Sequence, residues 1–326
     1  MKNICTVTLL LITSAHGFAQ NELHENRLDQ RVAGKLVERS YWTYVPESVA
    51  EKPALVVVLH GYSGSAINIA AYSGMNAVAD EAGFIVAYPQ GTIDAKGNAF
   101  FNVGYAFHQD VAVDDVDFVR QMIAELSAEH SVNPDQIYAT GMSNGGEMSY
   151  LLACRASSLF RAVAPVAGSM VGFSLQECSP ERPIPIFAIS GTDDPVTLYS
   201  GDLESVGGWG TYLGQDETIA YWARQYGLDQ RTSTALANPH KPILTGDSQI
   251  TWDRYSDDNL ATEIWFYRVV NGGHDWPGAK GTEWWRPSTY LGLMAMGFGK
   301  NHDIDASRDI WAFFSQWSER EKAVSQ

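Results

Sequence analysis

Apolar residues along this chain fall into two patterns: short unbroken runs, and longer stretches where they recur every third or fourth position. Residues 54–59 read ALVVVL, and 84–88 (FIVAY) repeat the theme before Pro89. Runs of this kind, without polar alternation, predict strands covered on both faces, as in a parallel sheet. Further strands are expected at 136–139, 160–166, 184–189 and 263–269, with an alternating one near 41–45 that ends at Pro46. Between the strands the period lengthens. Val116, Val119, Ile123 and Leu126 mark one face of a helix over 114–130. Helices are also expected at 75–82, stopped by Gly83, and at 145–155, 216–226 and 306–317. This alternation predicts an α/β fold, a mostly parallel central sheet with helices on both faces.

The N-terminus follows a different logic. Lys2, an apolar run at 7–12 and the small residues of Gly17-Phe18-Ala19 form the pattern of a secretory signal cleaved near Ala19. The run is much shorter than the ~20 apolar residues of a membrane span, so a soluble exported protein is expected. Residues 20–34 are polar and read as a flexible lead-in. No repeat or Pro/Ser/Thr-rich linker breaks the remainder, so 35–326 is expected to be a single domain.

Composition and charge narrow the functions. The 326 residues are 45% hydrophobic and 18% charged, which suits a globular core. A formal net charge of −16 argues against nucleic acid or an anionic membrane as a partner, because both are themselves negative. Export removes Cys5 and leaves Cys154 and Cys178, which an oxidising compartment would join. Closing a loop of about 25 residues is worth roughly 3 kcal/mol in the loop-entropy picture.

The chemistry concentrates in strand-to-loop junctions. Gly141-Met142-Ser143-Asn144-Gly145 has the spacing G-x-S-x-G, with a strand expected before it and a helix after it. The glycines permit a tight turn, and the helix N-terminus aims positive backbone N–H groups at a developing oxyanion. A serine hydroxyl needs a base to become a nucleophile. Among the eight histidines, His274 alone sits in a Gly-rich turn (Asn271-Gly272-Gly273-His274) directly after a buried strand. Open α/β sheets place active-site residues at such carboxyl ends. A carboxylate to orient the imidazole should lie between Ser143 and His274 in the chain, and the 190–195 turn offers both Asp193 and Asp194. His60-Gly61-Tyr62 follows the 54–59 strand, which makes the backbone N–H groups of Tyr62 and Asn144 candidates for an oxyanion hole.

Taken together, these motifs resemble the polyhydroxybutyrate depolymerase and feruloyl esterase group, related to carbohydrate esterase family one, within the α/β-hydrolase fold. The resemblance rests on VVVLHG at 56–61, YPQG at 88–91, DDV at 114–116 and YATGMSNGG at 138–146. It continues through AVAPVAG at 162–168, GTDDPV at 191–196, ETIAYWA at 217–223, GGHDWPG at 272–278 and DIDASRDIWAFF at 303–314. It implies Ser143 as nucleophile, His274 as base and Asp194, the aspartate directly before Pro195, as the third member. It implies a secreted serine carboxylesterase. No metal or organic cofactor is expected, since the chain shows no HExxH, no EF-hand loop and no dinucleotide fingerprint. The substrates it implies are hydroxycinnamate esters on plant polysaccharide, hydroxyalkanoate esters, or short acyl groups such as acetyl on xylan. The rivals are a peptidase on the same fold and a carbohydrate-binding protein that has lost the chemistry. Ser190 stands where the family often has His. The segment 282–301 is aromatic and Met-rich, and a role as a lid or cleft wall would make Trp284 and Trp285 substrate contacts, alongside His60 and Trp276.

Overall fold

The computed structural model describes residues 22–172, 178–237, 248–258, 262–279, 301 and 303–324. Among these, ten strands form one sheet in the order β1-β2-β4-β3-β7-β8-β9-β14-β13-β12. Six of them run parallel at its centre: β4 (Ile85–Pro89), β3 (Leu55–Leu59), β7 (Ile137–Met142), β8 (Ala162–Val166), β9 (Ile186–Gly191) and β14 (Ile264–Val270). Antiparallel strands flank the centre, β1 (His24–Val32) and β2 (Lys35–Tyr44) on one side, β13 (Gln249–Ser256) and β12 (Gln230–Ala235) on the other, while β5 (Thr92–Ile93) with β6 (Ala99–Phe100) and β10 (Gly201–Asp202) with β11 (Tyr212–Leu213) form two small separate pairs.

Two-sided burial is visible within a single strand. In β3, Leu55, Val57 and Leu59 join the apolar cluster on one face, while Val56 and Val58 join the cluster on the other. The first cluster takes in α3 (Asp115–His130), α4 (Asn144–Arg155) and α5 (Gln215–Tyr226) through Phe118, Met148 and Trp222. The second takes in α1 (Ala66–Ser73), α2 (Met75–Ala82) and α6 (Ala306–Val324) through Ile69, Val78 and Phe313. Each helix buries an apolar stripe, as its periodicity requires, and the sheet is sandwiched as expected.

The expected lead-in at 20–34 is corrected here. Most of it is β1, paired with β2 over its full length and joined to it by a two-residue turn, Ala33-Gly34, with φ of +47° and +82°. Positive φ at both positions gives a hairpin turn whose twist matches that of the strands. Its polar residues mislead because some are buried. The Gln30 amide accepts from Arg39 at 2.7 Å, and Arg39 pairs with buried Asp115 at 2.6 Å, at the start of α3. The expected bridge is present: Cys154 on α4 is bonded to Cys178, with a Cα–Cα separation of 4.7 Å. Residues 1–19 and most of 282–301, including Trp284 and Trp285, lie outside the described residues.

Candidate active site

Four of the parallel strands, β3, β7, β9 and β14, release their chains toward one region. At the end of β7 the backbone turns sharply into α4, and Ser143 occupies the turn with φ +56° and ψ −119°. Such a conformation is costly for a non-glycine residue and is held only by its surroundings. Here those are backbone: Ser143 N–H donates to Val166 O of β8 at 2.9 Å, and Glu147 N–H donates to Ser143 O at 2.9 Å. The glycines next to it are required by contact. A Cβ on Gly145 would stand 2.2 Å from Leu59 O, and one on Gly146 would stand 2.7 Å from Val166 O.

The end of β3 abuts this elbow. A Cβ on Gly61 would lie 3.3 Å from Ser143 Cβ, so the backbone entering Tyr62 passes directly over the serine. Asn144 is the first residue of α4, where N–H groups have no acceptor within the helix. Its side chain is fully engaged: the amide oxygen accepts from Phe101 N–H at 2.7 Å and its nitrogen donates to Phe101 O at 3.0 Å. Tyr62 is held by its hydroxyl, which donates to Asp94 at 2.6 Å and accepts from Asn98 at 2.8 Å.

Two turns from β9 and β14 bring the acid and the imidazole together. Asp193 N–H donates to Gly272 O at 2.8 Å, and a Cβ on Gly191 would stand 2.4 Å from that same oxygen. Within this tied pair of turns, Asp194 Oδ2 lies 2.8 Å from His274 Nδ1, with both side chains almost completely buried. Asp194 Oδ1 accepts from the N–H groups of Val196 and Thr197, each at 2.8 Å. Asp193 is exposed. The two aspartates that spacing leaves open are thus distinguished by burial and partner. Next to the histidine, buried Asp275 accepts from the Tyr72 hydroxyl and from Trp276 N–H, which fixes the turn from the other side.

A small cleft opens between the elbow and the Asp194 turn, lined by Tyr105, Ser143, Glu147, Val196, Thr197, Trp209 and Tyr212. The elbow supplies Ser143 and Glu147, and the Asp194 turn supplies Val196 and Thr197. The three aromatic walls come from two Gly-containing segments, GYAFH at 104–108 and GGWGTYL at 207–213. Sequence reasoning missed these walls and Glu147. Aromatic residues beside glycines in both segments, and an acidic residue one turn after the elbow serine, were the available signals.

Two expected substrate contacts are corrected. His60 is 1% exposed; Gly91 N–H donates to its Nε2 at 2.9 Å, and Nδ1 lies 2.7 Å from Gly61 O. Burial pushes this imidazole down to about 4, so it is neutral, and both nitrogens are spent on backbone. Its work is to fix the loop that carries Tyr62. Trp276 is likewise 1% exposed, with its indole N–H on Ser307 at 3.1 Å, and it belongs to the core. Among the described residues no group of His, Cys, Asp and Glu is arranged to hold a metal ion.

Known proteins resemble this chain in sequence and in fold. Residues 39–216 match the family described as Esterase PHB depolymerase. A Nocardia uniformis subsp. tsuyamanensis protein named as an esterase, NocK, is 32% identical over 74% of this chain and 70% of its own length. Feruloyl esterase B of Piromyces equi is 34% identical over 53% of this chain but only 32% of its own length. Among solved structures, the acetyl xylan esterase from Aspergillus awamori superposes with a TM-score of 0.55 at 16% identity, covering 84% of this chain and 99% of that one. That likeness shows the α/β-hydrolase fold.

Proposed function

Because this chain belongs to the Esterase PHB depolymerase family, and is thereby a carboxylic ester hydrolase, we propose that it cleaves its substrate through a covalent acyl-enzyme on Ser143. The observation that carries the reading is the buried Asp194–His274 pair, 2.8 Å apart, with the Asp194 turn supplying Val196 and Thr197 to the cleft lined by Ser143. With Nδ1 turned to Asp194, Nε2 of His274 is the nitrogen that takes the Ser143 proton. Ser143 Oγ then bonds to the ester carbon, and the oxyanion accepts hydrogen bonds from the N–H groups of Tyr62 and Asn144. The alcohol departs with the proton from His274. Water, deprotonated by the same imidazole, releases the acid and restores the serine.

The acyl group is first a hydroxycinnamoyl type, on soluble or oligomeric esters such as those of plant polysaccharide. The aromatic walls Tyr105, Trp209 and Tyr212 support this, as does the relative named feruloyl esterase B. A hydroxyalkanoate ester belongs to the same reading through the family. A short acyl group, such as acetyl, is the second reading, supported by the relatives named acetylxylan esterase. Export is part of the proposal, supported by the Cys154–Cys178 bond, which needs an oxidising compartment.

Hydrolysis of methyl ferulate beside p-nitrophenyl acetate and butyrate tests the reading, with Ser143→Ala as control. Efficient turnover of methyl ferulate and a loss of roughly 10⁴-fold or more in the variant are expected. Activity on short esters alone would transfer the assignment to the second reading. An active Ser143→Ala protein would sink the mechanism.

A further inference from the structure

The helix that begins at Ser143 carries a buried carboxyl that the chemistry above leaves unused. Glu147 stands four residues after Ser143 on α4, a spacing that puts both on one face of the helix. It lines the same cleft as Ser143 and is 8% exposed. The Tyr105 hydroxyl donates to its Oε2 and favours the ionised form, as does the neighbouring Asn144 amide. A carboxyl set among aromatic walls in this way is expensive to ionise, and desolvation holds it up at about 7 in spite of these donors.

The titratable groups facing it come from three elements besides its own helix. Tyr105 precedes the short 3₁₀ turn Ala106–His108, Tyr212 lies on the short strand Tyr212–Leu213, and His274 follows β14 with Asp194 behind it. In this set His274 is the group that can become positive.

Resting on the reading of Ser143 and His274 given above, we propose that Glu147 is a second carboxylate serving His274, stabilising in its ionised form the imidazolium that appears when Ser143 attacks. The step itself is unchanged in balance. The Oγ–carbon bond forms, the carbonyl electron pair moves to the oxyanion, and the Ser143 proton passes to His274 Nε2. Glu147 exchanges no proton with the substrate; it acts through the imidazole, as Asp194 does from the other side.

The sign of the pH dependence follows. Above about pH 7 Glu147 is ionised and its support is present; below that it is neutral and the support is withdrawn. Glu147→Gln keeps an acceptor for Tyr105 and removes the charge at every pH. The experiment is kcat and KM for p-nitrophenyl acetate from pH 5 to 9.5, for the wild type, Glu147→Gln and Ser143→Ala. Rates of the wild type and Glu147→Gln are normalised by active-site titration with an organophosphate, so misfolded protein does not count; Ser143→Ala, which has no hydroxyl to titrate, is normalised by the concentration of folded protein.

The expected result at pH 9 is a fall in kcat of roughly 10- to 100-fold, the size of one charge acting across several ångströms of partly buried protein, with KM within about twofold. The ratio of wild type to variant should shrink toward one as the pH falls below about 7. A ratio that stays constant across the range marks a merely structural role and overturns the proposal. So does an unchanged kcat with a raised KM, which makes Glu147 a substrate-binding group. If Ser143→Ala retains activity, the acyl-enzyme reading is what fails; if that variant is dead and the Glu147→Gln ratio is flat, this inference alone fails.

Discussion

β7 and β12 are both six residues long and belong to the same sheet, yet they have almost nothing else in common. Every residue of β7 is buried, and its last residue leads into Ser143. Every residue of β12 is exposed. The backbone around the end of β7 is packed so tightly that glycine is required, and the turns beside it are tied by individual backbone hydrogen bonds. Around β12 and its neighbour β13, charges are shared among several partners, and no comparable backbone crowding occurs among the described residues. The centre therefore has one way to be right, and the edge has several.

The centre's dependence on a single partner is broken most severely by Asp194→Asn. Asp194 Oδ1 already accepts two backbone N–H groups, and the amide oxygen of Asn would keep that place. The amide nitrogen would then face His274 Nδ1 and donate to it. Nδ1 must give up its proton, which moves to Nε2, where it blocks general-base action. A loss of about 10⁴-fold in kcat is expected, with the fold retained. Steady-state kinetics beside a thermal melt would check it; a loss below tenfold would show that the pair is not the orienting one.

The same contrast governs what could be read from the sequence. The strands β3, β4, β7, β8, β9 and β14 were legible because a strand covered on both faces must be apolar throughout, and such runs stand out. β12 (QRTSTA) carries no such signature, since nothing in it is buried, and its existence depends on pairing with β13. β1 escapes a sequence reading for the opposite reason: Gln30 and Arg39 look like surface residues but are buried against Asp115. At the site, Ser143 and His274 were visible because sharp turns demand glycine in fixed positions. Choosing Asp194 over Asp193 needed the resemblance, and the structure separates them by burial. The cleft walls were not visible, since Tyr105, Trp209 and Tyr212 meet Ser143 only once distant loops are folded together. His60 and Trp276 failed as substrate contacts because nearness in sequence to a motif says nothing about which way a ring faces.

Gly145→Ala sharpens the comparison through packing rather than chemistry. The new methyl carbon would fall 2.2 Å from Leu59 O and 2.8 Å from His60 O, both backbone atoms of the neighbouring strand and loop. Neither can yield without moving β3 or the loop that carries Tyr62. Destabilisation of roughly 3–5 kcal/mol is expected, enough to lower Tm by about 10 °C or prevent folding. Gly227→Ala is the peripheral control. Gly227 ends α5 at φ +68°, and a methyl added there would meet no atom within 4 Å. Only the backbone conformation is strained, at a cost of about 1 kcal/mol. Equal melting temperatures for the two variants would contradict the tight packing assigned to the elbow.

The smallest effect is expected at the edge itself, and it tests redundancy directly. Asp253 on β13 is completely buried at its side chain and receives two arginines, Arg231 of β12 at 3.0 Å and Arg268 of β14 at 3.1 Å. Arg231 is half exposed and also lies over the Tyr255 ring. Removing one partner of a buried charge is normally severe, because the other is left uncompensated. Here Arg268 remains in place, less exposed and anchored by the Tyr199 hydroxyl and Asp216, so Asp253 keeps a cation after Arg231→Ala. What is lost is the pairing of a half-exposed arginine with an aspartate that keeps its other cation, and a ring contact, together about 1 kcal/mol. Arg268→Ala removes the anchored partner and should cost more, since the remaining arginine is the more exposed one. Urea titration of the two single variants and the double variant separates the possibilities. If Arg231→Ala alone costs as much as Arg268→Ala, the two arginines are not alternatives, and the edge is as unforgiving as the centre.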